Sequence, residues 1–218
     1  MKTTFKNLLF LTPILLLSAC KKDDLPKGIE YEVEFIGAWS SADFPVDYPD
    51  NAHFSPIIGI TYADGPGFWE PGQLASAGME EMAETGKTKT LESELQPLVD
   101  NGDALQLVIG DKLETGSSTN TFTIVVDKDH TVVSLVSMLG PSPDWFVAGT
   151  AYLRDFSDQW LDNVIVQMNS YDAGTDSGLS FKSANEDTQP REVISQITDP
   201  ALYDQNKPIA VLKFTRKQ

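Results

Sequence analysis

Tyr31-Glu32-Val33-Glu34-Phe35 alternates apolar and acidic side chains at every step. Successive side chains of a β-strand point to opposite faces, so this pattern predicts a strand with one face buried and the other wet. Working outward, further apolar or β-branched runs lie at 57–62, 105–109, 122–126, 132–138, 163–168 and 209–214. Gly, Pro, Asn and Asp punctuate them, and Asp127-Lys128-Asp129-His130 has the composition of a hairpin turn. Two segments break the pattern. Residues 73–85 carry Leu74, Ala77, Met79, Met82 and Ala83 at helical spacing and stop at Gly86, a residue suited to a helix C-terminus. Residues 91–99 read as a second short helix interrupted by Pro97. Many strands with few helices predict an antiparallel sandwich or barrel.

The chain has 218 residues and a formal charge of −16, a length for one domain or one domain plus a tail. With 41% hydrophobic residues it can bury a core, so global disorder is excluded. Its acidity argues against nucleic acid as a partner and against simple electrostatic docking on anionic lipid. A single cysteine excludes an internal disulfide framework and a cysteine zinc cage. No apolar run reaches the roughly 20 residues of a membrane-spanning helix.

The amino terminus reads as an address. Lys2 and Lys6 precede an apolar stretch at 8–17, which ends in Leu17-Ser18-Ala19-Cys20. That tetrapeptide is similar to a bacterial lipobox, with lipidation expected at Cys20. Residues 1–19 are then a lipoprotein signal peptide, 20–29 the lipidated cysteine and a tether, and 30–218 the domain. The expected location is the outer membrane, exported and lipid-anchored. The Lys22-Asp23-Asp24 run resembles signals that carry lipoproteins to the cell surface.

The chemistry concentrates in two stretches, Pro141-Ser142-Pro143-Asp144-Trp145-Phe146-Val147 and Tyr171-Asp172-Ala173-Gly174-Thr175-Asp176-Ser177-Gly178. Three aspartates stand among turn residues at loop-like positions. Asp172 and Asp176 flank a glycine that lets the backbone turn sharply. Calcium takes about six to eight hard oxygens from carboxylates, carbonyls and water, which such loops supply. The spacing is not that of an EF-hand. Aspartates in turns also serve as turn formers and caps, so spacing alone leaves both roles open.

These stretches carry a resemblance. The chain resembles the spondin N-terminal domain family, through Tyr31-Glu32-Val33-Glu34-Phe35 with Trp39-Ser40; Ala52-His53-Phe54-Ser55-Pro56; Trp69, Gly72, Ala75-Ser76-Ala77-Gly78 and Ala83-Glu84-Thr85-Gly86; Val133-Ser134; Pro141-Ser142-Pro143-Asp144-Trp145; Trp160; and Asp172-Ala173-Gly174-Thr175-Asp176-Ser177-Gly178. The resemblance implies an eight-stranded antiparallel β-sandwich of C2-like character. It also implies one calcium ion (Ca2+), held near one end by Asp144, Asp172 and Asp176. The function it implies is a non-enzymatic recognition or adhesion module, whose animal members meet matrix components, integrin-type receptors and microbial surface carbohydrate. For this chain the expected partner is an unidentified extracellular or envelope ligand, carbohydrate or protein, with membrane contact through the lipid anchor only. The rival readings are an envelope hydrolase acting on glycan or lipid, and a purely structural calcium-stabilised spacer.

Other motifs carry less. Asp176-Ser177-Gly178 is similar to a protease nucleophile loop, but Thr175 and Leu179 stand where that loop needs glycines for its oxyanion hole. His53 and His130, the only histidines, match no zinc pattern and read as loop-fixing residues. Trp39, Trp69, Trp145 and Trp160 read as core or loop anchors in preference to a carbohydrate platform. Glu80, Glu81 and Glu84 on the first predicted helix read as a solvated face.

Overall fold

A computed structural model describes residues 25–199, 202, 204 and 206–218. Cys20 and the signal segment lie outside them. The elements are β1 (Ile29–Gly37), β2 (His53–Phe54), β3 (Ile58–Tyr62), α1 (Ala77–Thr85), α2 (Lys89–Asn101), β4 (Ala104–Ile109), β5 (Thr119–Val126), β6 (Val132–Gly140), β7 (Trp145–Tyr152), β8 (Asn163–Asp172), β9 (Ser195–Gln196) and β10 (Ala210–Arg216). Eight strands follow the order β4-β3-β6-β7-β8-β10-β1-β5, with short β2 against β6 and β9 against β8. Every pairing is antiparallel. The two outer strands meet where the Gln106 side-chain oxygen accepts the Val125 amide at 2.8 Å, so the sheet curls into a nearly closed sandwich.

β1 behaves as its alternation predicts. Tyr31, Val33 and Phe35 are fully buried, and Glu30 and Glu32 are exposed. Val33 stands between Phe122 of β5 and Phe214 of β10, so its side chain joins the interior core. β6 differs: all nine of its residues are buried. Val133, Leu135 and Leu139 enter the sandwich interior. Val132, Val136 and Met138 enter a second cluster with Met79, Met82 and Leu91 of the helices. The helices therefore cover one outer face of the β3–β6–β7 half, which makes those strands apolar on both sides.

α1 starts later than its periodicity predicts, because Ser76 caps it. The Ser76 hydroxyl accepts the Met79 amide at 3.1 Å and donates to Glu94 at 2.6 Å. It stops where predicted: Gly86 takes a left-handed conformation, φ 69°, and its amide bonds the Met82 carbonyl. α2 runs through Pro97. The turn at 127–130 is confirmed as a β5–β6 connection, with the Asp127 carboxylate accepting the Asp129 and His130 amides.

Three strands escape the sequence reading, the two-residue β2 and β9 and the full-length β7. Residues 145–152, not among the apolar runs read as strands, form β7. Ala148, Gly149 and Ala151 weaken its apolar signal, and neighbours β6 and β8 supply the pairing that makes it a strand.

Candidate metal centre

β7 begins and β8 ends at the same edge of the sheet, because Trp145 pairs with Asp172. This register brings Asp144, one residue before β7, beside Asp172, the last residue of β8. The chain then turns at Gly174, φ 74°, where a Cβ would lie 2.4 Å from the Glu192 carbonyl oxygen. That turn carries Thr175 and Asp176 back over Asp144.

Asp144 is fully buried. Its Oδ2 accepts the Thr175 amide at 2.8 Å, the Asp176 amide at 3.1 Å and the Thr175 hydroxyl at 3.3 Å. Its Oδ1 is buried with no hydrogen-bond partner. Burial, and then the neighbouring Asp172 charge, push its pKa up to about 6 against the pull of those donors. Asp172 accepts the Gly174 amide at 2.8 Å and also interacts with the Trp145 indole. Burial raises its pKa too, with repulsion from Glu192 and Asp176 adding to it. Asp176 accepts the Gly178 amide at 2.7 Å and the Glu186 amide at 3.0 Å.

The three predicted aspartates therefore share one end of the sandwich, and their charges are felt between neighbours. Among the described residues, no lysine, arginine or histidine forms an ion pair with any of the three. Nor, among those residues, do three acids, histidines or cysteines already converge on one point as a finished metal shell. The donor set nonetheless suits a hard divalent ion. It offers carboxylate oxygens and one buried oxygen without a partner, in a site where like charges crowd.

The site holds an acid that the sequence reading placed elsewhere. Glu84 is half-buried, not on a solvated face; its side chain bonds Thr175, and burial, Glu80, Asp176 and Asp187 raise its pKa. Its α1 neighbours are engaged as well, Glu81 with Thr90 and Glu80 with Arg191. Helical spacing alone could not reveal that α1 ends against the 172–176 turn. Beside the acids, a cleft of about 330 Å³ is lined by Trp145, Asp172, Phe181, Val46 and Leu179. Val46 and Leu179 are exposed.

The decoys fall away from one another. The Ser177 hydroxyl meets Thr188 at 2.9 Å. His53 bonds the Asn51 carbonyl at 2.8 Å, and His130 bonds Asp127 and the Gly102 carbonyl. Trp39 is a core residue, and Trp69 packs edge-on against Phe146 and Tyr171.

A family model described as Spondin_N matches residues 29–210, which includes all three aspartates. The chain belongs to the Spondin_N family. Its spondin domain is similar to human Spondin-2, at 32% identity over 188 residues, covering 83% of this chain and 55% of the relative. It is similar to rat Spondin-1 at 33% over 180 residues, 78% of this chain and 22% of the relative. It is also similar to rat Spondin-2 at 29% over 172 residues, 77% and 52% respectively. The chain thus spans about half the length of Spondin-2 and a smaller part of Spondin-1. Among the described residues of this spondin domain, no helix is long and apolar enough to cross a membrane.

Proposed function

We propose that this spondin domain is a non-enzymatic, calcium-stabilised recognition module, tethered by lipid at Cys20 to the outer membrane. Asp144, Asp172 and Asp176 would hold the ion. The observation that carries the reading is the Asp144 carboxylate, fully buried, with one oxygen unpartnered and Asp172 beside it. A buried charge without a countercharge is costly, and a divalent cation is the group that removes the cost. Bound there, calcium would supply countercharge and join the start of β7 to the turn after β8. The cleft between Trp145, Phe181, Val46 and Leu179 would then stand on a rigid floor, where binding surfaces usually sit. Its exposed apolar side chains favour recognition of an envelope or extracellular ligand over a spacer role. The anchor rests on Leu17-Ser18-Ala19-Cys20.

The test is a thermal melt of the chain beginning after Cys20, in chelator, in calcium and in excess magnesium. A site filled to about 100 times its dissociation constant adds about 2.7 kcal/mol. In a domain of this size that raises Tm by about 5–10 °C. The rise is expected with calcium alone and is lost in Asp176→Asn. Equal melts in all three solutions, with no metal found on analysis of the sample, overturn the reading.

A further inference from the structure

The loop joining β7 to β8 lies far from the acids and presents a side chain that the fold does not use. Phe156 at its tip is 112% exposed. The loop beneath it is stiff. The Asp155 carboxylate accepts the Ser157 amide at 2.8 Å and the Gln159 amide at 2.9 Å. The Asp155 amide donates to the Gln159 carbonyl at 2.9 Å, and the Asp158 amide to the Asp155 carbonyl at 3.0 Å. Arg154 closes the base by donating to the Asp158 carbonyl at 2.7 Å and lying 5.2 Å over the Trp160 ring. Asp158 takes φ 59°, a left-handed conformation uncommon for a residue with a side chain. The backbone that carries this exposed ring is already ordered, so burying the ring elsewhere costs only its own rotamer freedom.

The fold places this loop at the end where the domain begins. Ile29, the first residue of β1, pairs with Val126, the last of β5. The next turn offers its Lys128 carbonyl to Arg154 at 3.5 Å. At the other end of the sandwich are Asp172 and Leu179. β7 alone spans about 26 Å between them, at roughly 3.3 Å per residue. Cys20 precedes Ile29 by nine positions, a reach of at most about 30 Å for an extended chain. A lipid on Cys20 therefore tethers the domain by its Phe156 end, on a linker long enough to let it swing. Charges near the tip are mixed, Lys128 and Arg154 against Asp129, Asp155 and Asp158, in a chain whose total is −16. That mixture suits a zwitterionic headgroup layer, in which an aromatic ring sits between water and acyl chains.

We propose that Phe156 enters the interface of a zwitterionic lipid surface beside the anchor and stands the domain upright, with the Asp144–Asp172 end turned away from the membrane. This rests on the reading of Cys20 as a lipidated residue. It makes the anchored chain an oriented display in place of a head swinging on its tether.

The test uses the full lipidated chain in phosphatidylcholine vesicles. Ser157→Cys, with Phe156 kept, and, separately, Leu179→Cys each carry a nitroxide label; Cys20, with its sulfur on the lipid, stays unlabelled. Vesicle flotation comes first. Failure to float defeats the anchoring reading and this proposal with it. Given flotation, the label at 157 is expected to lose collisions with an aqueous nickel complex and gain collisions with oxygen, while the label at 179 stays open to nickel. Both labels open to nickel means the domain swings freely and overturns the proposal. Both shielded means it lies flat and overturns it equally. Shielding at 157 that persists when Phe156→Ser is added, or without vesicles in the chain lacking residues 1–20, assigns it to something other than the ring in lipid and also overturns it. Both substitutions lie at exposed tips, and unchanged melting of each variant verifies the fold.

Discussion

The Asp144 carbonyl accepts the Ala173 amide at 3.2 Å, locking the residue before β7 to the residue after β8. Ala173 is fully buried against the helix-side core. The site is thereby tied to packing between sheet and helices, and whatever loosens one is expected to loosen the other.

Protonation of Asp144 should stabilise the metal-free chain. Asp144 has a pKa of about 6 when folded, against 3.8 ordinarily, so the folded state binds this proton more tightly than the unfolded chain. Its contribution is complete below about pH 4 and is lost as pH rises through 6, a swing on the order of 2–3 kcal/mol. Asp172 and Glu84 shift in the same direction. In chelator, the Tm of the native chain should therefore fall relative to that of Asp144→Asn from pH 5 to pH 7.5. An unchanging difference across that range contradicts the expectation.

Two glycines with similar backbone angles should respond differently to alanine. Gly174 and Gly102 have φ of 74° and 81°. A Cβ at 102 meets nothing within 4 Å, so Gly102→Ala should cost only the conformational strain, about 1 kcal/mol. A Cβ at 174 collides with the Glu192 backbone. Gly174→Ala should cost clearly more in denaturant melts and weaken any calcium-dependent rise in Tm.

Trp39 is fully buried among Tyr48, Phe54 and Phe181, with its indole nitrogen unpartnered. Trp39→Ala should destabilise by about 3–5 kcal/mol through the cavity it leaves. Trp39→Phe should cost much less, since no hydrogen bond is lost with the indole N–H. Urea unfolding midpoints of the two variants decide this, and equal losses would contradict it.

Ser76→Ala removes the Met79 amide's cap and one hydrogen bond to Glu94. The expected loss is about 1 kcal/mol. Glu94 keeps the Gly78 amide at 2.7 Å, so α1 should persist, and unchanged far-ultraviolet circular dichroism would verify this.

Local chemistry made several elements legible. Period-two alternation identifies β1, because one face of that strand meets the core and the other meets water. Gly86 ends α1 because glycine accepts the left-handed conformation a helix stop requires. Asp144, Asp172 and Asp176 could be selected as one set because the motifs around them are distinctive. β7 was less visible, since its small residues acquire a strand's meaning only between β6 and β8.

The antiparallel β class, the helix stop and the choice of the three acids follow from neighbouring residues and their periods. Only the folded chain buries β6 on both faces, brings Glu84 to the acids and sets Phe156 at the end where β1 starts. Those facts depend on contacts between residues remote in sequence. Burial and electrostatic repulsion act across space, and no pattern along the chain records the distances on which they depend.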